Sequence, residues 1–451
     1  MMSSTIASSE NRMIFGLGIT GRSVARWWRR QNMAFTAVDT REELADEAAN
    51  WPELVHTPTR FGELPPELAE DVTEMIVSPG VPLEHPLVVR ARDQGCRVRG
   101  DIDLFMQAVQ APVVGITGSN GKSTVTSLLG EMMSACGRSV SVGGNLGRPA
   151  LDLLDDQADL YVLELSSFQL ERAEALGLSV AAVLNVSADH LDRYPSMPAY
   201  HRAKHRIFMS AAQVVANRQD PLTVPLMSED TPVTWWSSRD PDLGEFGLRD
   251  VDGVTWICCG NERLMACTDL LLVGRHNYLN VVAALAMGVA MGLSAQDLLR
   301  GACAYKGLPH RCQFVADVGG IRFIDDSKGT NIGATLAALE GLATGRNVWL
   351  IMGGQGKGQD FSLLRDAVGA SCAGLLLIGE ASEDIARCLG DVVQVAPQST
   401  LEDAVKYAAA VAQPGEVVLL SPACASFDMF RNYVERGEHF QSAVALLEAA
   451  A

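Results

Sequence analysis

Short apolar runs alternate with longer stretches in which apolar positions recur every three or four residues, almost from one end of the chain to the other. The runs Met13 to Phe15, Val113 to Ile116, Tyr161 to Leu163 and Ala181 to Val186 read as buried strands bounded by Gly, Pro, Ser and Asp. Asp101 to Val109, Thr124 to Met133 and Val281 to Leu293 read as helices. Strand and helix patterns in alternation predict α/β units with mostly parallel sheets. The 451 residues exceed what one core comfortably holds, and the pattern divides them into three blocks, 1–100, 101–307 and 308–451, with no fixed-period repeat.

Polar residues suited to chemistry follow the apolar runs repeatedly. Thr117 and Gly118 follow Ile116, Glu164 follows Leu163, Asn185 to His190 follow Leu184, Asp325 to Lys328 follow Ile324, Gly353 and Gly354 follow Met352, and Ser421 follows Leu420. Ligands of open α/β sheets bind beyond the carboxyl ends of the strands, so these segments can converge on one crevice. Turns at strand ends also collect Ser, Asp and Gly for local reasons.

The stretch Val113-Val-Gly-Ile-Thr-Gly-Ser-Asn-Gly-Lys-Ser-Thr124 carries the most information. A strand runs into a glycine loop and then a helix, the arrangement whose backbone N–H groups meet a nucleotide phosphate; Lys122 can reach the terminal phosphates and Ser123 a Mg²⁺ ion. Ile116 stands where the usual loop has its first glycine, so this is a shortened variant built on Gly118 and Gly121. A second glycine pattern, Gly16-Leu-Gly-Ile-Thr-Gly21, follows the first strand, with Asp39 about 20 residues on. It fits a dinucleotide turn, another phosphate-bearing nucleotide, or a turn that needs Gly only for packing. Arg41, two residues after Asp39, adds a cation to the choice.

Other candidates keep two readings each. Glu164 is either a hydrogen-bonded core acid or a metal ligand. His190 is a ligand, a base or part of a capped turn. The basic segment Tyr200 to Phe208 reads by default as a solvated helix face; turned inward, Lys204 becomes partly neutral and reactive. Arg311, Lys328 and Lys357 lie in Gly-, Ser- and Thr-rich segments and can offset ligand charge.

Composition narrows the partners. A formal charge of −18 opposes binding to nucleic acid or an anionic membrane surface. Hydrophobic residues at 48% and charged residues at 20% are those of an ordinary globular protein. The ten cysteines lack CxxC spacing and read as buried thiols of a reducing cytoplasm, without a zinc site. Met1 to Glu10 lack a basic start and apolar core, so no signal peptide is expected. Val281 to Leu293 contains two glycines and is too short for a membrane span.

Six ordered motifs together resemble a known family: Thr117 to Thr124, Glu164 to Leu170, Asn185 to Tyr194, His276 to Asn280, Gly307 to Arg311 and Asp326 to Asn331 look like the ATP-dependent Mur ligases of peptidoglycan synthesis. Ser421 to Asp428 extends the likeness toward the end of the chain. The resemblance implies a Rossmann-like N-terminal domain for a UDP-sugar, a central P-loop-type ATPase and a Rossmann-like C-terminal domain for an amino acid. It implies a cytoplasmic, monomeric enzyme that adds D-glutamate to UDP-N-acetylmuramoyl-L-alanine through an acyl phosphate; another Mur-type or a folylpolyglutamate-synthetase-type amide ligase is the alternative. It further implies ATP at Gly118, Asn120, Gly121, Lys122, Ser123, Thr124, Asn280, Arg311 and Asp326. Mg²⁺ is expected on Ser123, Glu164, His190 and a carbamylated Lys204. UDP-sugar is expected at Gly18, Ile19, Thr20, Asp39, Thr40, Arg41, Gly80 and Asn145, and the amino acid at Thr330, Lys357, Ser426 and Tyr433. Lys122, His190, Lys204 and Arg311 are the residues expected to act in catalysis. Gln355 stands where some relatives carry an acid, and Tyr433 where some carry Phe.

Overall fold

The structure, a computed structural model, describes residues 10–154, 157–174, 176–190, 193–225, 230–272 and 274–450. Leu191 and Asp192 of the Asn185 to Tyr194 motif lie outside the described residues, as do the first nine residues of the expected leaderless start. Among the described residues, strands form three sheets that follow one another along the chain.

The first sheet contains β1 (Arg12–Phe15), β2 (Thr36–Asp39), β3 (Thr59–Phe61), β4 (Glu74–Val77) and β5 (Arg97–Arg99), in the order β3-β2-β1-β4-β5 and parallel throughout. β1 is buried on both faces, so its sequence is almost continuously apolar. Ile14 packs with Val24 and Trp28 on one side, while Met13 and Phe15 pack with Leu87 and Val88 on the other. The turn after β1 enters the helix Ile19–Arg30 and lies between β2 and β4, which flank β1. This is the switch point at which open sheets of this kind leave a crevice.

The second sheet contains β6 (Val113–Thr117), β7 (Val140–Gly144), β8 (Leu160–Glu164), β9 (Val180–Val183), β10 (Val214–Asn217), β11 (Val233–Trp236), β12 (Phe246–Val251), β13 (Val254–Cys259) and β14 (Glu262–Ala266). Its order is β14-β13-β12-β11-β10-β9-β6-β8-β7. The last three strands in sequence form an antiparallel meander on the edge of the parallel part, a feature the alternating pattern did not separate. β9 ends earlier than the apolar run to Val186 predicts, because Asn185 leaves the sheet to hold the phosphate loop. Its carbonyl accepts from Ser119 N at 3.0 Å and its Oδ1 from Asn120 N at 2.8 Å.

Helix Lys122–Ala135 begins at the loop and buries Val125, Leu128, Leu129, Met132 and Met133 in the same core as Val114, Ile116 and Val162 of the sheet. Helix Arg275–Ala290 starts before the apolar run at Val281, and its polar first turns carry His276, Asn277 and Asn280 toward the loop. No helix of the described residues is long and apolar enough to cross a membrane.

The third sheet contains β15 (Gln313–Val318), β16 (Ile321–Asp325), β17 (Val348–Gly353), β18 (Cys372–Ile378), β19 (Val395–Pro397) and β20 (Val417–Leu420), in the order β15-β16-β20-β17-β18-β19. Only the β15–β16 hairpin is antiparallel. Alternation along the strands splits the core between two faces. Ile324, Leu350, Met352 and Leu375 lie on one, and Phe323, Ile351, Leu376 and Ile378 on the other.

Candidate active site

The carboxyl ends of β6, β8 and β9 open onto a cavity of about 550 Å³, closed on its far side by residues of the third domain. The loop Ser119 to Thr124 forms one wall, with Asn145, Glu164, Asp189, His190, Lys204 and Asn280 around it. Arg311, Asp326, Lys328, Thr330 and Asn331 complete the lining from the third domain. Gly121 has φ +80°, and a Cβ there would stand 2.9 Å from Asn280 Oδ1. The loop therefore needs glycine both for its backbone and for the approach of the helix that carries Asn280. Lys122 lies along the loop, its Nζ donating to the carbonyls of Gly118 at 2.8 Å and Ser119 at 2.9 Å.

The basic segment is not a solvated face. Helix Met197–His205, capped by Ser196, turns Tyr200 and Lys204 inward, and Lys204 is only 1% exposed. Lys204 Nζ donates to Gly118 O at 2.7 Å and lies 4.5 Å from the Tyr200 ring centre. Apolar and aromatic neighbours of this helix, including Tyr194 and Phe208, outweigh its surplus of basic residues. Burial, and then the neighbouring Lys122 cation, push the Lys204 amine well below its ordinary pKa. Burial lowers Lys122 as well.

Glu164, at the end of β8 and 2% exposed, accepts from Asn145 Nδ2 at 2.6 Å through Oε1; its buried Oε2 has no hydrogen-bond partner. A buried carboxylate oxygen left in this condition is costly unless a cation meets it. Asn145, expected among the sugar-nucleotide contacts, is thus part of the phosphate cavity. His190 sits in the left-handed region at φ +55°, edge-on to Phe168 at 5.0 Å and with Nε2 3.7 Å from Asp189 Oδ2.

Ser123, Glu164, His190 and Lys204 all line this one cavity. Among the described residues no group of three or more His, Cys, Asp or Glu side chains forms a metal site by itself. One carboxylate and one imidazole suit Mg²⁺ only when further oxygens, from phosphate and a modified Lys204, complete the shell. The unpartnered Glu164 oxygen is the observation that makes the set fit a cation.

The third domain reaches across. Arg311 Nη2 donates to Ser123 Oγ at 2.6 Å, and Asn331 Nδ2 donates to Asn120 Oδ1 at 3.0 Å and Asp189 Oδ2 at 3.2 Å. Lys357 Nζ stands 3.7 Å from Asp189 Oδ1. Burial works against ionising Asp189, but the charges of His190, Lys357 and Lys122 hold its carboxyl below the ordinary value. Asp326 accepts from Cys312 N at 3.2 Å and Ser421 Oγ at 2.8 Å, and burial raises its pKa to about 7. Lys328, 3.8 Å from the Tyr433 ring centre, is lowered to about 8 by burial and then by Arg311. Thr330 lines the cavity, whereas Ser426 and Tyr433 lie outside its lining. Gln355 forms a backbone bridge with Ala425 and so ties the loop after β17 to the segment that holds Ser426.

The residue roles read from sequence leave out Asp189 and Asn331 as site members, and place Lys328 only as a cation that offsets ligand charge. Their signal was position, since each lies a few residues past a strand or in the motif it opens.

A second concave region belongs to the first domain. Gly16 has φ +94°, and a Cβ on Gly21 would overlap Gly16 O at 1.9 Å, so these two glycines serve the turn and the helix packing. Gly18 and Gly80 have open space where a Cβ would be, and Ile19 is 72% exposed. Asp39 Oδ2 accepts from Leu17 N at 2.6 Å, and Arg41 engages both carboxylate oxygens at 2.9 and 2.7 Å. Burial opposes this charge, but the Arg41 bonds hold the Asp39 carboxyl below its ordinary pKa. An acid so occupied does not offer itself to a ribose diol, as a nicotinamide dinucleotide requires. The surface presents the half-exposed Arg41 guanidinium instead, next to Thr40 and near the start of a helix at Ile19 and Thr20.

Three α/β domains, a phosphate loop met by an arginine of the last domain, and a separate nucleotide turn in the first make a Mur-type ligase, and the chain belongs to the Mur ligase family. Residues 10–100 match the Mur ligase MurD-like N-terminal domain, 116–288 the Mur ligase middle domain and 310–424 the Mur ligase glutamate ligase domain. The chain is 48% identical over 443 residues to UDP-N-acetylmuramoylalanine--D-glutamate ligase of Pseudomonas fluorescens (strain Pf0-1), covering 98% of this chain and 99% of that protein. It is 49% identical over 447 residues to the protein of the same name from Pseudomonas aeruginosa, covering 98% and 99%. Among solved structures it is similar to UDP-N-acetylmuramate-alanine ligase MurC from Thermotoga maritima, with TM-score 0.60 and 17% identity over 98% of this chain and 100% of that one. MurF from Acinetobacter baumannii gives TM-score 0.61 and 18% identity over 81% and 88%. At that identity the two structures speak for the fold alone.

Proposed function

We propose that this chain is the ATP-dependent ligase that joins D-glutamate to UDP-N-acetylmuramoyl-L-alanine in the cytoplasm, during synthesis of peptidoglycan precursors. The observation that carries the reading is the convergence of Lys122, Glu164, Lys204 and Arg311, drawn from two domains, on one cavity of about 550 Å³, large enough for a nucleotide. The high identity to relatives of that name, over nearly the whole chain, supplies the substrates.

A carboxylate resists attack by an amine, so it must first be activated. In the proposed reaction an oxygen of the alanyl carboxylate attacks the γ-phosphorus of ATP, the bond to the β-phosphate oxygen breaks, and ADP leaves. The neutral amine of D-glutamate then attacks the carbonyl carbon of the acyl phosphate. The tetrahedral intermediate loses phosphate and a proton to give the amide. Lys122 leaves its two loop carbonyls for the terminal phosphates, and Arg311, already at Ser123, meets the transferred phosphoryl group. Asn280 and Asp326 hold the adenosine part. The sugar nucleotide occupies the turn Gly18 to Thr20 with Asp39, Thr40, Arg41 and Gly80, while Thr330, Lys357, Ser426 and Tyr433 hold D-glutamate.

Ser123, Glu164, His190 and a carbamylated Lys204 hold the Mg²⁺, whose chemistry there is neutralisation of phosphoryl charge. The case for carbamylation is electrostatic. Two lysine amines share the Gly118 carbonyl, and Lys204 is biased toward the neutral amine that adds CO₂. Nitrogen bonds to carbon, a proton leaves, and a carbamate anion stands beside Lys122 where a second ammonium would repel it.

The test is phosphate release with ATP and UDP-N-acetylmuramoyl-L-alanine against a panel of D- and L-amino acids. Release selective for D-glutamate is expected. Equal release with L-amino acids, or none with D-glutamate, overturns the assignment.

A further inference from the structure

Lys204 and Tyr200 face the phosphate cavity from helix Met197–His205, but the same helix carries a different pair on another side. His201 and His205 are four residues apart, one helical turn, and their ring centres lie 3.8 Å from each other at an interplanar angle of 37°. Both point Nε2 at the same acceptor, the Leu222 carbonyl, at 3.0 and 2.7 Å. That carbonyl belongs to the short turn Pro221–Thr223, which Asp220 fixes by accepting from Leu222 N at 3.0 Å. Both imidazoles are partly exposed at the edge of a second cavity, of about 1070 Å³, separate from the phosphate site in its lining apart from Phe168.

The two imidazole nitrogens converge on one point, which the Leu222 carbonyl oxygen holds as their shared acceptor; an ion entering there has two nitrogen donors, with that oxygen beside them as a third. Ligands bound at about 2.0–2.1 Å to one ion stand about 2.9–3.4 Å apart, so the Leu222 oxygen, now on the line of both N–H bonds, must withdraw to admit the ion while staying within reach as a ligand. Histidines at i and i+4 on one helical face are a recognised chelating arrangement. The donors are neutral and mostly nitrogen, which selects a borderline transition-metal ion over Mg²⁺ or Ca²⁺. No carboxylate or thiol joins the pair as a third protein side chain among the described residues, so water from the adjoining cavity fills the remaining positions.

We propose that His201, His205 and the Leu222 carbonyl form a binding site for a divalent transition-metal ion of the Zn²⁺, Co²⁺ or Ni²⁺ type, distinct from the Mg²⁺ site of the ligase reaction. On binding, each ring moves its proton from Nε2 to Nδ1 and gives the freed lone pair to the ion. The ion ties the helix that bears Lys204 to the turn Pro221–Thr223. Its role is to brace that helix from outside the reacting groups.

Co²⁺ is the probe, added to the full chain in excess Mg²⁺ so that oxygen-rich sites are filled. The expected result is saturable uptake of one ion per chain, with a visible d–d spectrum free of thiolate charge-transfer bands and a raised melting temperature. His201→Gln and His205→Gln each abolish that uptake and leave basal ligase activity in place. Undiminished uptake in both variants, thiolate bands from the scattered cysteines, or no saturable uptake overturns the proposal. Should a variant fail to fold, the unsubstituted chain decides: Co²⁺ must broaden the ring-proton resonances of both histidines first, and broadening elsewhere without them counts against the site.

Discussion

Replacing Lys122 by alanine separates the phosphate role of this side chain from its contribution to folding. The amine makes two hydrogen bonds, to Gly118 O and Ser119 O. After Lys122→Ala, Gly118 O keeps its bond from Lys204, so only Ser119 O loses a partner. An unsatisfied buried acceptor costs about 1–3 kcal/mol, and removal of a buried cation beside Lys204 offsets part of that. The folded state should therefore change by no more than about 1–2 kcal/mol. The reaction loses far more. One charged contact to a phosphoryl oxygen at about 4 Å is worth about 4 kcal/mol at an effective dielectric constant of about 20. Loss of one preorganised donor elsewhere costs about 2.7–4 kcal/mol, or about 10²–10³ in rate. ADP release under saturating substrates, measured with a urea unfolding curve of the same preparation, reads both quantities. A variant that folds normally and turns over within about threefold of the parent, against the 10²-fold floor, would refute the phosphate-loop assignment.

Lys204→Ala is expected to be nearly inactive and to recover when a short carboxylic acid is added to the assay; full activity without the acid contradicts the carbamate reading. Asp326 gives a stability test with a definite sign. Its folded pKa, about 7, lies above the ordinary 3.8, so the folded state binds its proton more tightly and its contribution is fully present below pH 3.8. That contribution is lost as pH rises toward 7, and the difference in unfolding free energy between Asp326→Asn and parent should move in the variant's favour over this window; a difference independent of pH sinks the burial argument. In the first domain, UDP should raise the melting temperature while NADH at equal concentration does not. Stabilisation by NADH alone would restore the dinucleotide reading.

Much of the architecture was legible because parallel strands buried on both faces write continuous apolar runs, as in Val113 to Ile116 and Val417 to Leu420. The meander from Phe246 to Ala266 was not, since its strands are half-buried and their polar positions resemble loops. The phosphate loop was visible as Gly, Lys and Ser at fixed spacing. Lys204 was harder: the inward turn of its helix is set by Tyr200, Tyr194 and Phe208 packing into the core, while local composition argues for solvent. Asn145 and Glu164 lie 19 residues apart and meet only because β7 and β8 are neighbours in register, with Gly144 opposite Glu164. Asn331 meets Asn120 across 211 residues, a contact fixed by domain packing, which no local pattern records.

The central claim is that the cavity turns an inert carboxylate into an acyl phosphate before the amine arrives. The most direct measurement uses UDP-N-acetylmuramoyl-L-alanine labelled with ¹⁸O in the alanyl carboxylate and follows the label by mass spectrometry after one turnover with ATP and D-glutamate. Transfer of one carboxylate oxygen into the released phosphate is the predicted result. Unlabelled phosphate, with amide formed at the normal rate, would contradict the account.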